Sequence, residues 1–300
     1  MNTLDVLIGL YGKLHNYKGI PFWILTPFRK ILRAVSNAVL PKYLERYSLK
    51  SPHRSISVIV SLTSFPDRIN SVWQVIVCMQ KQTMPPRKII LWLSKEQFPS
   101  IDSIPDKLKT MENETFQIRL VEGDIRSHKK YYYVAKEYPN DLIFLIDDDI
   151  YYPTDILERS YDAYLKHPNC VVCNYGYRIT YDQLGKHKRY SDWVSLYKGS
   201  EGRDLFFGSG GGTLLNPLKM HHDFLSIDKA MKLTPLADDI WLNAMARLAG
   251  LDIFLLPGGL ILDIKTDSER LSSKNNGQSQ NDVQLANIER CYGRCFDKQN

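Results

Sequence analysis

The sequence has no hydrophobic run long enough to cross a membrane. Its apolar clusters near the N-terminus, at 6–8 and 22–25, are far shorter than the ~20 apolar residues that a spanning helix needs. Asp5 lies where a secretory signal peptide is basic, and no small-residue cleavage site follows, so we expect no cleaved signal. The sequence therefore predicts neither a membrane-spanning nor a secreted protein.

Cysteine is scarce, and its pattern does not indicate disulfide bonds. The chain has five cysteines, an odd number, and Cys78 and Cys170 lie within apolar runs. This usage favours a reducing compartment, so we expect a cytoplasmic protein, either free or peripheral on the inner face of the cell membrane. Cys170 and Cys173 form a CxxC pattern, but a strand places residues three apart on opposite faces, which favours structural thiols over zinc or redox chemistry. A four-cysteine site with Cys291 and Cys295, which share a helical face, is the less favoured alternative.

The remaining composition is that of an ordinary globular protein with an anionic partner. Of the 300 residues, 44% are hydrophobic and 24% are charged, enough to bury a large core in one domain or two small ones. The net charge is +6 and the isoelectric point is near 8.9, so nucleotide phosphates, a membrane surface and nucleic acid are all candidate partners. Nucleic acid is the least favoured, because the basic residues form no ordered aromatic or groove-reading motif.

Residues 1–50 differ from the rest of the chain in charge. Only Asp5 and Glu45 oppose a set of basic residues, and the apolar clusters include Phe22 and Trp23. The basic residues are Lys13, Lys18, Arg29, Lys30, Arg33, Lys42, Arg46 and Lys50. A basic amphipathic segment with aromatic residues is typical of helices that lie on an anionic bilayer. A helical arm packed on the core or on a partner subunit explains the same pattern, so both explanations stay open.

Beyond residue 51, the pattern of apolar residues predicts a parallel α/β sheet. Short continuous apolar runs, typical of strands, alternate with segments in which apolar residues recur at helical spacing. The predicted strands are 56–62, 88–93, 116–121, 142–146 and 170–177, and the predicted helices are 68–82, 127–137, 153–167 and 234–250. In such sheets ligands bind beyond the carboxyl ends of the strands, where we expect Thr63, Ser64, Asp124 and the aspartates at 147–149.

The stretch DLIFLIDDD, residues 141–149, combines a buried strand with three carboxylates. Residues 142–146 are a continuous apolar run with β-branched and aromatic members, as expected for a central strand covered on both faces. Asp147, Asp148 and Asp149 repel one another unless water or a cation screens them, so we expect them at the mouth of the strand. Carboxylates at positions i and i+2 suit Mg²⁺ or Mn²⁺, with sites left open for phosphate oxygens. A solvated acidic turn before the next helix is the alternative.

A glycine-rich stretch, FGSGGGTLLNP at 207–217, is the second unusual feature. Its glycines at 208, 210, 211 and 212 leave room for a ligand or another backbone segment to approach closely. They do not match the GxGxxG dinucleotide motif, because the spacing differs and a strand is expected to follow. The stretch therefore predicts close contact without identifying the ligand.

The stretch TPLADDIWLNAMARLAG, residues 234–250, predicts a helix with acids at its start. Thr234 and Pro235 are expected to begin the helix, and Gly250 to end it. Asp238 and Asp239 then lie in the first turn, where the helix dipole favours ionised carboxylates. A carboxylate held there can take a proton from a hydroxyl. Complementation of the helix dipole alone is the alternative.

A polar segment at 180–202 carries several aromatic residues among its charges. They are Tyr181, Tyr190, Trp193 and Tyr197. Aromatic faces pack against sugar rings while their polar tips stay in water, which predicts one wall of an acceptor site. A surface hairpin is the alternative, and the general frequency of exposed aromatic residues favours it.

Together, the stretches ISVIVSLTSFP, FLIDDD, GSGGG and ADDIWL resemble, in this order, the motifs of GT-A glycosyltransferases of bacterial family 2. The resemblance covers roughly residues 55–257, and the chain is similar especially to polysaccharide-building enzymes, including galactofuranosyltransferases. It implies a GT-A, Rossmann-like α/β sandwich with a mostly parallel central sheet, which binds a nucleotide-diphospho-sugar. We accordingly expect three regions: the basic segment 1–50, a glycosyltransferase domain at 51–265, and a C-terminal region at 266–300. The C-terminal region would contain a polar lid and a terminal helix from 282 to 292.

The resemblance also implies roles for individual residues. Asp147 and Asp149 match the acids that hold a divalent ion, Mn²⁺ or Mg²⁺, on the donor diphosphate, and Asp239 matches the catalytic base, with Asp238 beside it. The residues expected to bind the nucleotide sugar are Thr63, Ser64, Asp67, Arg68, Asp124, Lys130, Asp148, Gly210 and Gly211. Many relatives have a further metal-binding histidine after the base helix, but no histidine follows His222 in this chain. The candidates for that ligand position are Asp263, Asp267 and water.

These roles predict an inverting glycosyltransferase. It would move a sugar from a nucleotide-sugar donor to a saccharide or lipid-linked saccharide acceptor, in the synthesis of bacterial capsule or O-antigen. UDP is the expected nucleotide, and galactofuranose is one candidate sugar. Two alternatives are a metal-dependent nucleotidyltransferase, which would release pyrophosphate, and a noncatalytic scaffold that binds a membrane or a polysaccharide.

Overall fold

The computed structural model describes residues 2–16, 22–47, 55–258, 261–266 and 279–298 of the chain. Its helices are α1 (Thr3–Asn16), α2 (Phe22–Glu45), α3 (Val72–Gln80), α4 (Asp106–Lys109), α5 (Lys129–Glu137), α6 (Ile156–Lys166), α7 (Ile227–Leu233), α8 (Asp238–Leu248) and α9 (Gln280–Tyr292). Its strands are β1 (Ile56–Thr63), β2 (Pro86–Ser94), β3 (Phe116–Val121), β4 (Leu142–Ile146), β5 (Ile150–Tyr151), β6 (Cys170–Cys173), β7 (Gly176–Arg178), β8 (Val194–Leu196), β9 (Ser200–Gly202), β10 (Leu205–Phe207), β11 (Gly211–Leu215), β12 (Asp252–Leu255) and β13 (Leu262–Asp263). Within these ranges, no helix has both the length and the apolar content needed to span a membrane.

Eight strands form a central sheet in the spatial order β3, β2, β1, β4, β11, β6, β12 and β9. All of them run in the same direction except β11 and β9, which are antiparallel to their neighbours. Two smaller sheets join β10, β7 and β8, and β13 and β5. The predicted α/β class with a mostly parallel central sheet is therefore confirmed.

The register of the parallel strands brings their carboxyl ends to one edge of the sheet. Thr63 of β1 lies opposite Trp92 of β2, and Ser61 of β1 lies opposite Leu145 of β4. The turn that follows β1 and the three aspartates that follow β4 therefore leave the sheet at the same edge. In parallel α/β sheets this edge is where ligands bind.

Both faces of strand β4 are buried, which explains its continuous apolar run. Ile143 and Leu145 pack into the core on one face, together with residues of α5 and α8. Phe144 and Ile146 pack into the core on the other face, and all four side chains are fully buried. Charged side chains cannot enter such an interior unpaired, so the strand ends where the aspartates begin.

Several elements differ from the predicted ones. The expected strand at 170–177 is two strands, β6 and β7, which belong to different sheets. Asn174 lies between them, buried, and donates to the Ser160 hydroxyl (2.8 Å) and the Gly212 carbonyl (2.9 Å), so the chain turns there instead of continuing the strand. The helix predicted from residue 68 begins only at Val72, because residues 66–71 form turns.

Helices α1 and α2 pack on the core of the sheet. Leu4 of α1 and Leu40 and Leu44 of α2 are buried in the same apolar cluster as strand β1. Asp5 accepts hydrogen bonds from the Thr154 backbone N–H (2.8 Å) and hydroxyl (2.6 Å). Of the two explanations for the N-terminal segment, packing on the core applies to these helices, and any contact with a bilayer concerns only their exposed faces.

At the other end of the chain, helix α9 packs against the core that contains α8. Leu285 and Ile288 are fully buried there. The helix begins at Gln280, slightly before the predicted start, and ends at Tyr292 as predicted. The predicted lid falls largely on residues 267–278, which lie outside the described residues.

Two neighbouring residues of α2 test the packing of this helix. Leu40 is fully buried, whereas Val39 is 41% exposed. Leu40→Ala should lower the free energy of unfolding by about 2–4 kcal/mol, because it leaves a cavity in the core. Val39→Ala should change it by less than about 0.5 kcal/mol. Urea denaturation measures both, and equal losses would show that α2 is not docked as described.

Candidate active site

The turn that follows strand β1 is tied to the aspartates that follow β4. The guanidinium Nη1 of Arg68 lies 3.0 Å from Asp148 Oδ1 and 2.9 Å from Asp149 Oδ2. The Ser64 hydroxyl donates to Asp148 Oδ2 at 2.5 Å. Arg68 and Asp148 are both buried. Ser64, Arg68 and Asp148, all predicted to bind the donor, therefore bond to one another in this structure, and their contact with a donor stays a prediction.

Asp149 has more negative than positive charge around it. Burial, and then repulsion from Asp147 and Asp148, raise the pKa of Asp149 to about 7, although Arg68 opposes the shift. Asp263 on β13 adds to the repulsion, so its carboxylate is also a neighbour. The four carboxylates are thus only partly balanced by the nearby guanidinium.

Lys130 links the aspartate triplet to the second acid pair. Its Nζ lies 2.8 Å from Asp147 Oδ1 and 3.1 Å from Asp238 Oδ2, and its side chain is only 4% exposed. Burial by itself lowers the pKa of an ammonium group, but the attraction of Asp147 and Asp238 outweighs it and raises the pKa of Lys130. The two acidic stretches, far apart in the sequence, therefore meet at one buried cation.

The turn between β10 and β11 orients the acid pair. Ser209 donates from its hydroxyl to Asp238 Oδ2 (2.7 Å) and from its backbone N–H to Asp239 Oδ1 (2.8 Å). Asn243, one helical turn further along α8, accepts from the Phe207 N–H (3.0 Å) and donates to the Phe207 carbonyl (2.8 Å). Sequence reasoning missed Ser209 and Asn243. The spacing of four residues from Asp239 to Asn243, on one helix face, is the signal that could have found the latter.

Asp238 and Asp239 titrate in different ranges. Burial raises the pKa of Asp238, but the attraction of Lys130 outweighs it and lowers the pKa to about 2. Burial and the repulsion of Asp238 raise the pKa of Asp239 to about 7. Asp239 is also partly exposed. Neighbouring acids whose pKa values are pushed apart are typical of sites at which one acid exchanges protons.

Helix α8 begins at Asp238, and the predicted start at Thr234 is wrong. An additional helix, α7, precedes it, and the Thr234 hydroxyl donates to the Ala230 carbonyl of that helix (3.1 Å). The buried His128 holds the linker, with Nε2 2.8 Å from the Thr234 carbonyl oxygen. The acid pair nevertheless lies in the first turn of α8, as predicted, and Gly250 follows the helix with a φ of +77°.

Glycine is required where the β10–β11 turn approaches the triplet. A Cβ atom at Gly210 would overlap the Asp147 carboxylate, and one at Gly211 would overlap the side chain of Tyr175. The Gly210 carbonyl accepts from the Asp147 N–H (3.2 Å) and from the Tyr152 hydroxyl. Packing against Asp147 accounts for Gly210 and packing against Tyr175 accounts for Gly211, and donor binding by them stays a prediction.

The other residues predicted to bind the donor lie on two loops at the carboxyl edge of the sheet. Thr63, at the end of β1, donates to the Trp92 carbonyl (2.7 Å), and Asp67 is exposed on the turn that follows. Asp124, on the loop after β3, forms an ion pair with Lys129. This pair lies immediately before Lys130 in the chain and thus borders the acid cluster.

Three tyrosines lie near Asp239. Burial is the main cause that raises the pKa values of Tyr175, Tyr177 and Tyr190, and the charge of Asp239 adds to each shift. The hydroxyls of Tyr175 and Tyr177 share a hydrogen bond. Two residues of the predicted aromatic wall lie here. Tyr190 is one of the three tyrosines, and Trp193 packs on Tyr190 with ring centroids 4.8 Å apart. Tyr175 and Tyr177 were not predicted, because nothing in their local sequence connects them to α8.

The triplet offers the type of ligand that a hard divalent cation prefers. Asp147 is 43% exposed, and burial followed by the repulsion of neighbouring carboxylates raises the pKa of Asp149. Carboxylate oxygens are the ligands that Mg²⁺ and Mn²⁺ prefer. Among the described residues, the groups of three metal-ligating side chains whose ligand atoms lie within 4.8 Å of one another do not include the triplet. They are His167, Cys170 and Glu201; His221, His222 and Asp223; and His187, Glu289 and Asp297. These groups do not unite the four cysteines considered for zinc, and all five cysteines are free thiols.

A cavity of about 480 Å³ opens beside the turn after β1. Its walls include Pro66, Ile69, Gln97 and Phe98, which follow strands β1 and β2. The Gln97 amide donates from Nε2 to Asp124 Oδ2 (3.0 Å), and because that carboxylate only accepts, this contact fixes the orientation of the amide. Gln97 Oε1 is buried and has no hydrogen-bond partner among the described residues. This oxygen is enclosed by the protein and is not exposed on the surface of the cavity.

Comparison with known proteins gives no family assignment. No protein-family model matches the chain, and no curated protein matches it. Among solved structures, it is similar to the crystal structure of HddC from Yersinia pseudotuberculosis, with 12% sequence identity and a TM-score of 0.36 over 55% of this chain and 78% of that chain. A similarity of this size assigns neither a fold family nor a function.

The contact between the glycine turn and the triplet predicts coupling between two substitutions. Gly210→Ala should destabilise the fold by about 1–3 kcal/mol, because the added methyl group displaces the Asp147 carboxylate and disturbs its bond to Lys130. In an Asp147→Ala background the same change should cost less than half as much, since the overlapping atoms are gone. Urea denaturation of the two single variants and the double variant measures the difference. Additive effects would show that the turn does not press on Asp147.

The raised pKa values of Asp149 and Asp239 predict a fall in stability between about pH 4 and pH 7. In this window the folded state keeps protons that the unfolded state, with carboxyl pKa values near 3.8, has lost, so a rise in pH favours unfolding. In the unmodified chain, the free energy of unfolding should be lower at pH 8 than at pH 4.5 because of this effect. Asp149→Asn should reduce that loss by on the order of 1–3 kcal/mol.

The control for this prediction is Asp124→Asn. Burial raises the pKa of Asp124, but its bond to Lys129 outweighs this and lowers it, so Asp124 is ionised in the folded and in the unfolded state from about pH 4.5 to pH 8. Asp124→Asn should therefore lower the free energy of unfolding about equally at both pH values. Urea denaturation at both pH values measures each variant. A pH profile unchanged by Asp149→Asn would mean that Asp149 is ionised normally in the folded protein.

Proposed function

We propose that this chain is an inverting glycosyltransferase of the GT-A fold that transfers a sugar from a nucleotide sugar, with UDP as the expected nucleotide, to a saccharide acceptor. The observation that carries the proposal is the convergence of two acidic stretches on Lys130, whose Nζ lies 2.8 Å from Asp147 Oδ1 and 3.1 Å from Asp238 Oδ2. Sugar transfer needs charge stabilisation for the leaving diphosphate and a base for the acceptor, close enough to act on one sugar ring. The mostly parallel sheet, with this cluster at its carboxyl edge, is compatible with the proposed fold.

The donor side of the site is the triplet. Asp147 and Asp149 would hold a divalent cation, and Asp263 would be the third carboxylate, in the place of the histidine that many relatives have. When bound, the cation neutralises charge on the leaving diphosphate. Lys130 adds a fixed positive charge beside Asp147, and its burial prevents it from turning away into solvent.

The cavity beside the turn after β1 is suited to the nucleobase of the donor. Phe98 and Ile69 supply apolar walls against which a planar ring can pack. The choice of UDP as the nucleotide rests on the resemblance alone.

The acceptor side is the acid pair at the start of α8. Asp239 accepts the proton of an acceptor hydroxyl while the hydroxyl oxygen attacks the anomeric carbon of the donor sugar. The attack comes from the face opposite the diphosphate, and the bond between the sugar and the diphosphate breaks. The Ser209 N–H orients the carboxylate, and a pKa of about 7 suits a base at neutral pH. Tyr175 and Tyr190 lie close enough to Asp239 that its charge, in addition to burial, raises their pKa values. Their rings are suited to stack on a sugar.

The role of Asp239 predicts a large loss of transfer with little loss of donor binding. Asp239→Asn keeps the size of the side chain but removes the base, so kcat for sugar transfer should fall by about 10²–10⁴-fold. The Kd for the donor, measured by calorimetry with Mn²⁺, should change less than about threefold, because the triplet is intact. In the unmodified chain, transfer should rise with pH through about 7 as Asp239 ionises.

The matched control is Asp228→Asn, which removes an exposed acid from the first turn of the neighbouring helix α7. This variant should keep normal transfer. Near-normal transfer by Asp239→Asn would refute the assignment of the base. Release of pyrophosphate from UTP and a sugar 1-phosphate, without release of UDP from a panel of UDP-sugars, would identify a nucleotidyltransferase, and the absence of both reactions would favour a noncatalytic protein.

A further inference from the structure

Helix α2 has an apolar face that does not contact the core. The exposed side chains on this face, with their exposed fractions, are Ile24 (38%), Phe28 (57%), Ile31 (61%), Val35 (45%) and Val39 (41%), which we call the outer stripe. Trp23, 74% exposed, precedes it at the start of the helix. An exposed row of large apolar side chains is unfavourable in water and indicates a binding surface.

The outer stripe lies opposite the face that docks α2. Its members are spaced four, three, four and four residues apart, which keeps them on one side of a helix. The buried residues of α2 are Arg29, Ser36, Leu40 and Leu44, which follow the same period on the other side. Folding of the chain therefore uses one face of α2 and leaves the second available.

The positive charge of the whole protein is concentrated around this helix. Residues 1–50 hold eight of the 39 lysines and arginines but only two of the 33 acidic residues, so the rest of the chain carries 31 of each sign and is neutral. Lys42 and Arg46 are exposed and continue the spacing of the outer stripe towards the C-terminal end of α2. Apolar and cationic side chains thus occupy one continuous surface.

We propose that the outer stripe of α2 docks on an anionic lipid surface. The apolar side chains would enter the boundary between headgroups and acyl chains, Trp23 would lie at headgroup level, and Lys42 and Arg46 would meet the lipid phosphates. Charge complementarity favours this occupant over a second copy of the chain. Symmetric pairing through the outer stripe would bring together two segments that each carry a net charge of +6.

The same helix places the acid cluster close to that surface. On its inner side, Arg33 Nη2 lies 3.5 Å from Asp263 Oδ2, and the Asn37 amide donates to the Asp263 carbonyl (3.0 Å) and accepts from the Lys265 N–H (2.6 Å). Asp263 is the carboxylate that neighbours Asp149. The cluster and the outer stripe are therefore separated by about one helix diameter, roughly 10–12 Å. Resting on the proposed function, this separation predicts an acceptor carried on a lipid.

Sedimentation with vesicles tests the docking directly, using the purified chain without donor or acceptor. The chain should sediment with phosphatidylcholine vesicles that contain about 30% phosphatidylglycerol, and weakly with pure phosphatidylcholine. The double variant Phe28→Ser, Ile31→Ser should reduce the partition coefficient at least about tenfold, because both side chains would otherwise leave water. A control double variant, Leu165→Ser, Leu218→Ser, changes two equally exposed leucines outside the outer stripe and should bind as the unmodified chain does.

Two further readouts separate the possible outcomes. The Lys42→Glu, Arg46→Glu variant, and a rise in salt to about 0.5 M, should each weaken binding to the anionic vesicles. All variants should keep their unfolding midpoint and their rate of transfer to a soluble acceptor, so that loss of binding is not loss of folding or of the proposed activity. The proposal is overturned if Phe28→Ser, Ile31→Ser binds vesicles normally, if the unmodified chain does not bind them, or if ultracentrifugation shows a stable dimer that this variant dissociates. Vesicle binding by a chain without transferase activity would reject the proposed function and leave the docking surface standing.

Discussion

The buried ammonium group of Lys130 is the interaction on which the site depends. An isolated charge in a protein interior costs several kcal/mol, so the fold can keep Lys130 inside only if carboxylates pair with it. Asp147 and Asp238 supply that pairing from two distant parts of the chain. The backbone of Lys130 is itself fixed, because Tyr131 and Val134 of the same helix are buried in the core. The requirement to neutralise one cation therefore determines the distance between the end of β4 and the start of α8.

The same cluster has more acids than the protein can neutralise. Arg68 is shared between Asp148 and Asp149, and Lys130 between Asp147 and Asp238. Burial, and then the repulsion of neighbouring carboxylates, therefore raise the pKa values of Asp149 and Asp239. A sequence optimised for stability alone would replace such acids, since they destabilise the fold above about pH 4. Places where a chain keeps unfavourable groups are expected to be functional sites. The surplus is an argument for a cationic or proton-donating ligand that is independent of any resemblance.

The sequence predicted those parts of the site that are encoded locally. A continuous apolar run that ends in three aspartates marks a buried strand and its mouth, and two acids before a helical repeat mark a first turn. Lys130 could be named as a donor contact, but its position between the acids could not be foreseen, because a lysine in a polar helix usually lies in solvent. Ser209 and Tyr175 contribute through contacts that only the tertiary fold creates. Thr234 was misassigned because its hydroxyl bonds to the preceding helix, α7, which the apolar pattern did not reveal.

Contacts through β13 connect the N-terminal arm to the aspartate triplet. Asn37 of α2 binds the backbone on both sides of Ile264, and the N–H of Ile264 donates to the Asp149 carbonyl (2.8 Å). Asp263 pairs in register with Ile150, the residue that follows the triplet. A displacement of α2 would therefore be transmitted to Asp149 through the contacts of Asn37 with β13 and of Ile264 with Asp149. The central sheet is not part of this path. The docking proposed for the outer stripe would act on the same helix, although α2 precedes strand β1 and contributes no strand to the sheet.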